Sequence, residues 1–309
     1  MIKTVTVRVP ATTANLGPGF DCVGAALSLH NQFQFSLLES ATPATVNIEV
    51  SGAEADRVKT DESNLAYQAF VKLYEHLNQP VPPVQITIQL EVPLARGLGS
   101  SATAIVGGLI GANLLAQSPL DRDAVMQLAI AIEGHPDNVV PALIGGCRLS
   151  AFSTAGDWMI SDIPWHEDLV PVVAIPNFEL STAEARRVLP TQYSRADAIF
   201  NVAHLGLLVR GLETGRADWL QTALHDRIHQ PYRQSLIVGY EAVHSAAMAA
   251  GAYGLVISGA GPTLLALANS AQANGVETAI TEAWRSHGIA VDVRSLQIDT
   301  YGASIHLQD

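Results

Sequence analysis

Cysteine is nearly missing from this sequence. Cys22 and Cys147 are the two it has, neither lies in a C-x-x-C pair, and no disulfide is implied. Both read as small buried hydrophobes. Positive charge is also short: 17 Lys and Arg stand against 29 Asp and Glu, a formal net charge of −12. That balance argues against a nucleic-acid partner. It also leaves any polyanionic ligand to be held by local positive groups, because the global field is unfavourable. Uninterrupted apolar runs of spanning length are absent too. Hydrophobic residues make up 48% and mean hydropathy is +0.22, yet Gly, Asn or Pro breaks the longest runs first. The opening Met1-Ile2-Lys3-Thr4-Val5 alternates like a strand and lacks a charged head followed by an apolar core. The expectation is a soluble, unexported, cytoplasmic protein with no membrane partner. At 309 residues two domains are expected, divided near Trp165 into 1–165 and 166–309, beside the irregular polar stretch Thr154–Trp165.

The stretch that organises the chain runs from Glu91 to Ala116. A period-two strand, Val84–Leu90, leads into it. Pro93 breaks the strand, and Gly97-Leu98-Gly99-Ser100-Ser101 turns into an apolar helix. Two glycines let backbone approach a ligand, and the helix start presents unpaired N–H groups and the positive dipole end. This is an anion site, best suited to phosphate. An ordinary helix start with Ser100 or Ser101 as cap has equal standing on these residues alone. A Walker loop is excluded, since no lysine follows either glycine. Gly97, Gly99 and Ala102 do fit G-x-G-x-x-A, with Asp121 at a suitable distance for a dinucleotide site. Against that, Ser118–Asp123 reads as a loop and helix start, where the fingerprint needs a second strand end.

Other elements follow from pattern. Strands are expected at Thr4–Val9, Gln32–Leu38, Thr45–Ser51, Leu169–Ile175, Leu255–Ser258, Thr263–Ala268, Ile289–Arg294 and Leu296–Leu307, with Pro10–Asp21 as a loop. Helices are expected at Leu65–Leu77 behind a Ser63 or Asn64 cap, at Ala124–Ile132, and in a short turn capped by Ser181 or Thr182. Longer ones cover Ala196–Leu212, Ser235–Ala250 and Thr278–Ser286. His204, His225 and His244 sit on or near such helices and read as structural. Glu133-Gly134-His135-Pro136-Asp137-Asn138 is dense polar chemistry with no zinc spacing.

Pro93–Ala102, P-x-x-x-G-L-G-S-S-A, resembles the phosphate loop of the GHMP kinases. Pro10–Asp21 is similar to the opening motif of the homoserine kinases within them. Glu133–Val139 with Gly145-Gly146, Ser181–Pro190 and Pro231-Tyr232-Arg233 resemble further segments of those kinases, and Ser258–Thr263 resembles the third motif of the family. The resemblance covers nearly the whole chain. It implies an α+β two-domain GHMP kinase fold: an N-terminal ribosomal-protein-like domain with a left-handed β-α-β crossover and a C-terminal ferredoxin-like domain, with the site between them. It implies phosphoryl transfer from ATP to L-homoserine with Mg2+, and it allows a homodimer.

Residue by residue, the implied nucleotide contacts are Asn64, Pro93, Arg96, Gly97, Leu98, Gly99, Ser100, Ser101, Ala102, Thr103, Gly259 and Gly261. Ser101 and Glu133 would hold the metal, as a hard cation needs few protein oxygens. Asn15, Asp21, His135, Asp137, Asn138, Thr182, Arg186 and Arg233 would hold the acceptor, with Asp21 on its ammonium and the two arginines forked onto its carboxylate. Asn138, His135, Ser101 and Glu133 are the catalytic candidates. Asn138 stands where mevalonate-type relatives use Asp and cannot take a proton, so the hydroxyl proton passes to phosphate, or through His135 or water. A silent family member acting as a sensor, and a nicotinamide-dependent dehydrogenase, are the alternatives.

Overall fold

The computed structural model describes residues 3–38 and 45–307, so Met1 and Ile2 of the strand-like opening lie outside the described residues. Among the described residues there are two sheets, one of seven strands and one of four. In the first, β1 (Thr4–Asn15) pairs antiparallel with the 19-residue β2 (Gly19–Leu37), and β2 with β4 (Val84–Leu90). β3 (Val46–Gly52) lies parallel to β4 at the edge, joined to it through α1 (Leu65–His76) as a β-α-β unit. β5 (Cys147–Phe152) branches from β2 and forms a hairpin with β6 (Trp158–Ile163). Against this sheet pack α1, α2 (Ser100–Leu115), α3 (Arg122–Glu133) and α4 (Pro136–Ile144), around Phe33, Phe35, Phe70, Ile86, Ile105 and Leu109. The wholly buried middle of α2 explains why it is apolar on every side.

The second sheet begins with β7 (Leu169–Pro176). After α5 (Thr182–Arg187), α6 (Arg195–Thr214), α7 (Ala217–Ala223), α8 (Gln230–Arg233) and α9 (Tyr240–Ala249) come β8 (Gly254–Ile257) and β9 (Leu264–Asn269). Then α10 (Ala273–Ser286) leads to β10 (Val291–Ser295). The spatial order β10-β7-β9-β8, all antiparallel, is the four-one-three-two order of a ferredoxin-like sheet. α9 and α10 cover one face around Trp284 and Val276. A further apolar cluster joins Leu16, Val23, Leu27 and Leu98 of the first sheet's side to Leu208, Val256 and Leu265 of the second. The two halves therefore share a core.

Several boundaries differ from the sequence reading. The Pro10–Asp21 stretch is mostly strand: β1 runs to Asn15 in register with β2, and the register shift between Pro10 and Ala11 absorbs the proline's missing donor. Within Thr154–Trp165 lies β6, whose inward face is only half-buried at Trp158 and Ile160, while apolar Met159 on the other face is exposed and blurs the alternation of residue types. The expected Ser235–Ala250 helix starts only at Tyr240, since Gly239 sits at φ 77°. Leu296–Leu307 is not one strand. It crosses back along the first sheet, bridging Leu27 at Ile298, and pairs with β1 only as β11 (Ser304–Leu307).

Candidate active site

The loop after β4 is held from below by Asn31, whose Oδ1 accepts from the backbone N–H of Glu91 and Val92, both at 2.8 Å. Gly97 and Gly99 take φ of 77° and 65°. A Cβ on Gly97 would lie 2.3 Å from the Ser258 carbonyl oxygen, and one on Gly99 would lie 1.9 Å from Thr12 Oγ1. Both positions therefore require glycine twice over, for conformation and for space. Gly99 is the residue before α2 and has no side chain to cap it, so the first-turn N–H groups of this 16-residue helix meet no side-chain acceptor. Neither Ser100 nor Ser101 is the cap; the helix start is open to an anion. The turn Ser258–Pro262 locks the loop from the other domain. Ser258 Oγ donates to the Gly97 carbonyl at 2.7 Å, Gly259 N–H to Ala14 O at 3.1 Å, and Thr263 N–H to Arg96 O at 3.2 Å.

A cavity of about 300 Å3 opens against this loop. Its walls include Asn15, Asp21, Arg96, Gly97, Gly99, Ser100, Ser101, Glu133, His135, Asp137, Asn138, Thr182, Arg186, Arg233 and Gly259. Most of the sequence-derived site thus converges on one place. Asn15, at φ 74°, donates from Nδ2 to Gly259 O at 2.7 Å and accepts from Asp21 N–H at 3.0 Å, so it ties the two domains and holds Asp21 in place. Asp21 and Arg186 face each other in a two-pronged pair of 3.0 and 2.9 Å. Arg233, 2% exposed, donates from Nε to Ala185 O and from Nη1 to Gly259 O, each at 3.1 Å. Burial, and next the nearby Arg186, bring its guanidinium down to about 10.

On the opposite wall Ser101 Oγ donates to Glu133 Oε1 at 2.8 Å. Burial raises the Glu133 carboxyl above the usual range, while the Ser101 hydroxyl pulls the other way. His135 Nδ1 lies 2.6 Å from Asp137 Oδ1, and that hydrogen bond raises the imidazole above an ordinary histidine against the opposing effect of burial. Asn138 Nδ2 approaches the same Asp137 oxygen at 3.4 Å, and its Oδ1 accepts from Thr12 Oγ1 at 2.7 Å. Thr12 escaped the sequence reading; its bond spans 126 positions, and only a contact map reveals such a partner.

Some expected residues stand off the cavity. Leu98, Ala102 and Gly261 are buried behind it. Pro93 lines a separate interdomain cleft. A second cavity of about 350 Å3 shares Ala95, Ser100 and Ser101 with the first and is lined by Arg57, Val58, Lys59, Asn64, Leu65 and Thr103. Asn64 caps α1, accepting from Ala66 and Tyr67 N–H and donating to Lys59 O at 2.7 Å, so both ends of its amide shape the loop. Thr103 Oγ1 is shared between Ser100 O and Asn31 Nδ2. Arg96 is spent on Pro176 O at 3.1 Å, Leu94 O at 2.8 Å and the acids Glu54 and Glu179. Arg57 joins the same two acids. Arg57, Lys59, Glu54 and Glu179 were also missed, since scattered surface charges carry no motif. Asp121 caps α3 by accepting from Ala124 N–H at 2.8 Å, far from the strand-end role a dinucleotide site requires. His204, His225 and His244 lie outside the main cavity.

An open helix start, a half-buried carboxylate beside a serine and a charged pocket, all set between these two sheets, define a small-molecule phosphotransferase of the GHMP kinase class. Family models agree: the GHMP kinases N terminal domain matches residues 64–146 and the GHMP kinases C terminal model matches 208–286. The chain is 66% identical over 304 residues to a homoserine kinase of Trichormus variabilis, covering 98% of this chain and 99% of the relative. It is 57% identical to one of Thermosynechococcus vestitus, covering 99% of each. Its structure is similar to that of a homoserine kinase from Cytophaga hutchinsonii, with 28% identity, a TM-score of 0.89 and coverage of 99% and 98%. Mevalonate kinase from L. major, at 16% identity and a TM-score of 0.71 over 94% and 95% of the chains, shares the fold. The chain belongs to the GHMP kinases, on their homoserine kinase branch. Among the described residues, no helix is long and apolar enough to cross a membrane.

Proposed function

We propose that this protein transfers the γ-phosphoryl of ATP to the side-chain hydroxyl of L-homoserine, giving O-phospho-L-homoserine and ADP. The carrying observation is that Asp21, Arg186 and Arg233 line one cavity together with the open start of α2. An acidic and two basic side chains match an amino-acid zwitterion, and the helix start matches phosphate. ATP would place its phosphates at the wall shared by the two cavities and its base in the second, between Arg57, Lys59 and α1.

Two oxygens, Ser101 Oγ and Glu133 Oε1, fit a hard cation that otherwise keeps water and phosphate ligands. The raised pKa of Glu133 marks a carboxylate short of compensating charge. Mg2+ held there would neutralise charge on the phosphates. The chain's own part is to hold and align. The N–H groups of Gly99–Ser101 and the α2 dipole take up charge on the moving phosphoryl. Asn138, its carboxamide oriented by Thr12, donates from Nδ2 at the acceptor end. Neither Asn138 nor His135 is suited to deprotonating the acceptor. The Asn138 oxygen is occupied, and His135 is held protonated by Asp137 to higher pH than an ordinary histidine. The acceptor oxygen forms its bond to the γ-phosphorus as the bond to the ADP oxygen breaks, and its proton leaves on a phosphoryl oxygen. Orientation is worth about 7–11 kcal/mol in well-aligned cases, so catalysis without a base is feasible.

The test is a panel of L-homoserine, mevalonate, galactose and L-serine with Mg-ATP, reading ADP release. Turnover confined to homoserine is expected. Preference for another alcohol would reject the acceptor, and ATP binding with no turnover would leave a sensor.

A further inference from the structure

We infer that Phe20 and His229 are positioning residues for the carboxylate clamp, acting through Arg186 and Arg233; this rests on the acceptor reading above. Phe20 is not part of the cavity wall, yet both guanidiniums converge on its ring, Arg186 Cζ at 5.7 Å and Arg233 Cζ at 5.0 Å from the centroid. The same ring stacks on His229, with centroids 5.0 Å apart and planes at 23°. Two like charges brought together repel, and a shared aromatic face offsets part of that repulsion while fixing where both sit. One ring therefore sets the spacing of the two forks.

His229 holds the second of them. It is fully buried, and Asp226 accepts from its backbone N–H at 2.8 Å as well as from those of Ile228 and Gln230. Its Nε2 donates to Gly17 O at 2.8 Å, which leaves Nδ1 bare at 3.5 Å from Arg233 Nη1. Nδ1 is thus an acceptor for the arginine. Arg233 is held by Ala185 O, Gly259 O and His229, all through Nε and Nη1. Among the described residues its Nη2 has no protein partner, and Arg233 lines the cavity. The Phe20–His229 stack aims that free edge.

The test compares Phe20→Leu, Phe20→Tyr, His229→Gln and Arg233→Lys with the parent enzyme. Acceptors are L-homoserine and its carboxylate-free analogue 3-aminopropan-1-ol. Phe20→Leu should raise the homoserine KM about 5–30-fold, with the ATP KM and the saturated kcat nearly unchanged. It should leave kcat/KM for 3-aminopropan-1-ol unaltered, and Phe20→Tyr should restore homoserine binding. His229→Gln keeps a donor for Gly17 and should move the homoserine KM the same way, so the inference stays open to test if Phe20→Leu does not fold. Equal losses on both acceptors, or on ATP as well, would show a merely structural role and overturn it. An unchanged homoserine KM in Phe20→Leu, beside a raised one in Arg233→Lys, would overturn it while the acceptor reading stands. An unmoved homoserine KM in Arg233→Lys itself would bring down both.

Discussion

Gly99→Ala perturbs the phosphate loop at its tightest point. Gly99 sits at φ 65°, a conformation that costs a side-chain-bearing residue about 1–2 kcal/mol. The added methyl would also lie 1.9 Å from Thr12 Oγ1, too close for the hydroxyl to remain, and 3.1 Å from Asn138 Oδ1, a tight contact. Thr12 cannot retreat with its backbone, because its N–H donates to Leu98 O at 3.0 Å within the same loop. The hydroxyl must rotate away, and the bond to Asn138 is lost at a further cost of about 1 kcal/mol. The expected destabilisation is roughly 2–3 kcal/mol, a Tm lower by about 4–12 °C at 2–4 °C per kcal/mol. The Asn138 carboxamide, no longer oriented, should also misplace the acceptor, so kcat should fall by about 10²-fold for a 1 Å shift. Thermal denaturation and steady-state kinetics on the same preparation read both. Thr12→Val, which removes the hydroxyl without the clash, should reproduce the kcat loss with a smaller Tm change. A Gly99→Ala enzyme with unchanged Tm and kcat would refute the left-handed loop and the Thr12–Asn138 linkage together.

Glu133→Gln should raise the Mg2+ concentration needed for half-maximal activity. Because burial raises the Glu133 pKa, the charged carboxylate destabilises the folded protein above its ordinary pKa, so the metal-free variant should melt slightly higher at pH 7; a lower Tm would contradict this. The His135 pKa is raised in the folded state, so its pairing with Asp137 stabilises fully below the unfolded value near 6.5. That contribution fades as pH climbs through the folded value; His135→Gln should flatten this stretch of a Tm–pH curve, and an unaltered profile would remove the linkage. L-Serine, one methylene shorter, should bind through its head group yet place its hydroxyl about 1.3–1.5 Å short of alignment and lose about 10²-fold in kcat. Matching kcat values for serine and homoserine would mean that the two ends of the site are not rigidly set.

What could be read from residues alone followed the reach of each signal. β4 and α1 stood out because their burial alternates at periods of two and near 3.6 over seven and twelve residues, and the caps Asn64, Asp121 and Ser181 act within four positions of themselves. β2 was only half seen. Its segment Val23–Leu27 is buried on both faces, so the alternation vanishes. Most charged and amide residues singled out in the motifs line the cavity. Thr12 and Phe20, inside the Pro10–Asp21 motif, and His229 were given no role, since each meets its partner far along the chain, the Phe20–His229 stack lying across two motifs. Arg96 lines the cavity from its motif position, and its guanidinium also bonds to Pro176, Glu54 and Glu179, partners that no motif marked.

The mutual grip of Asp21 and Arg186 bears on which molecules the acceptor site admits. With no ligand the two charges satisfy one another through a pair of hydrogen bonds, so this part of the pocket projects little net charge to attract simple ions. A lone carboxylate that captured Arg186 would strand Asp21, and a lone ammonium would strand Arg186; in each case one favourable contact is traded for another of the same kind. A molecule carrying both charges on one carbon replaces the internal pair group for group and adds Arg233 as a new contact. Admission then depends on bringing both charges at once, and cellular acetate, phosphate and polyamines compete poorly whatever their abundance.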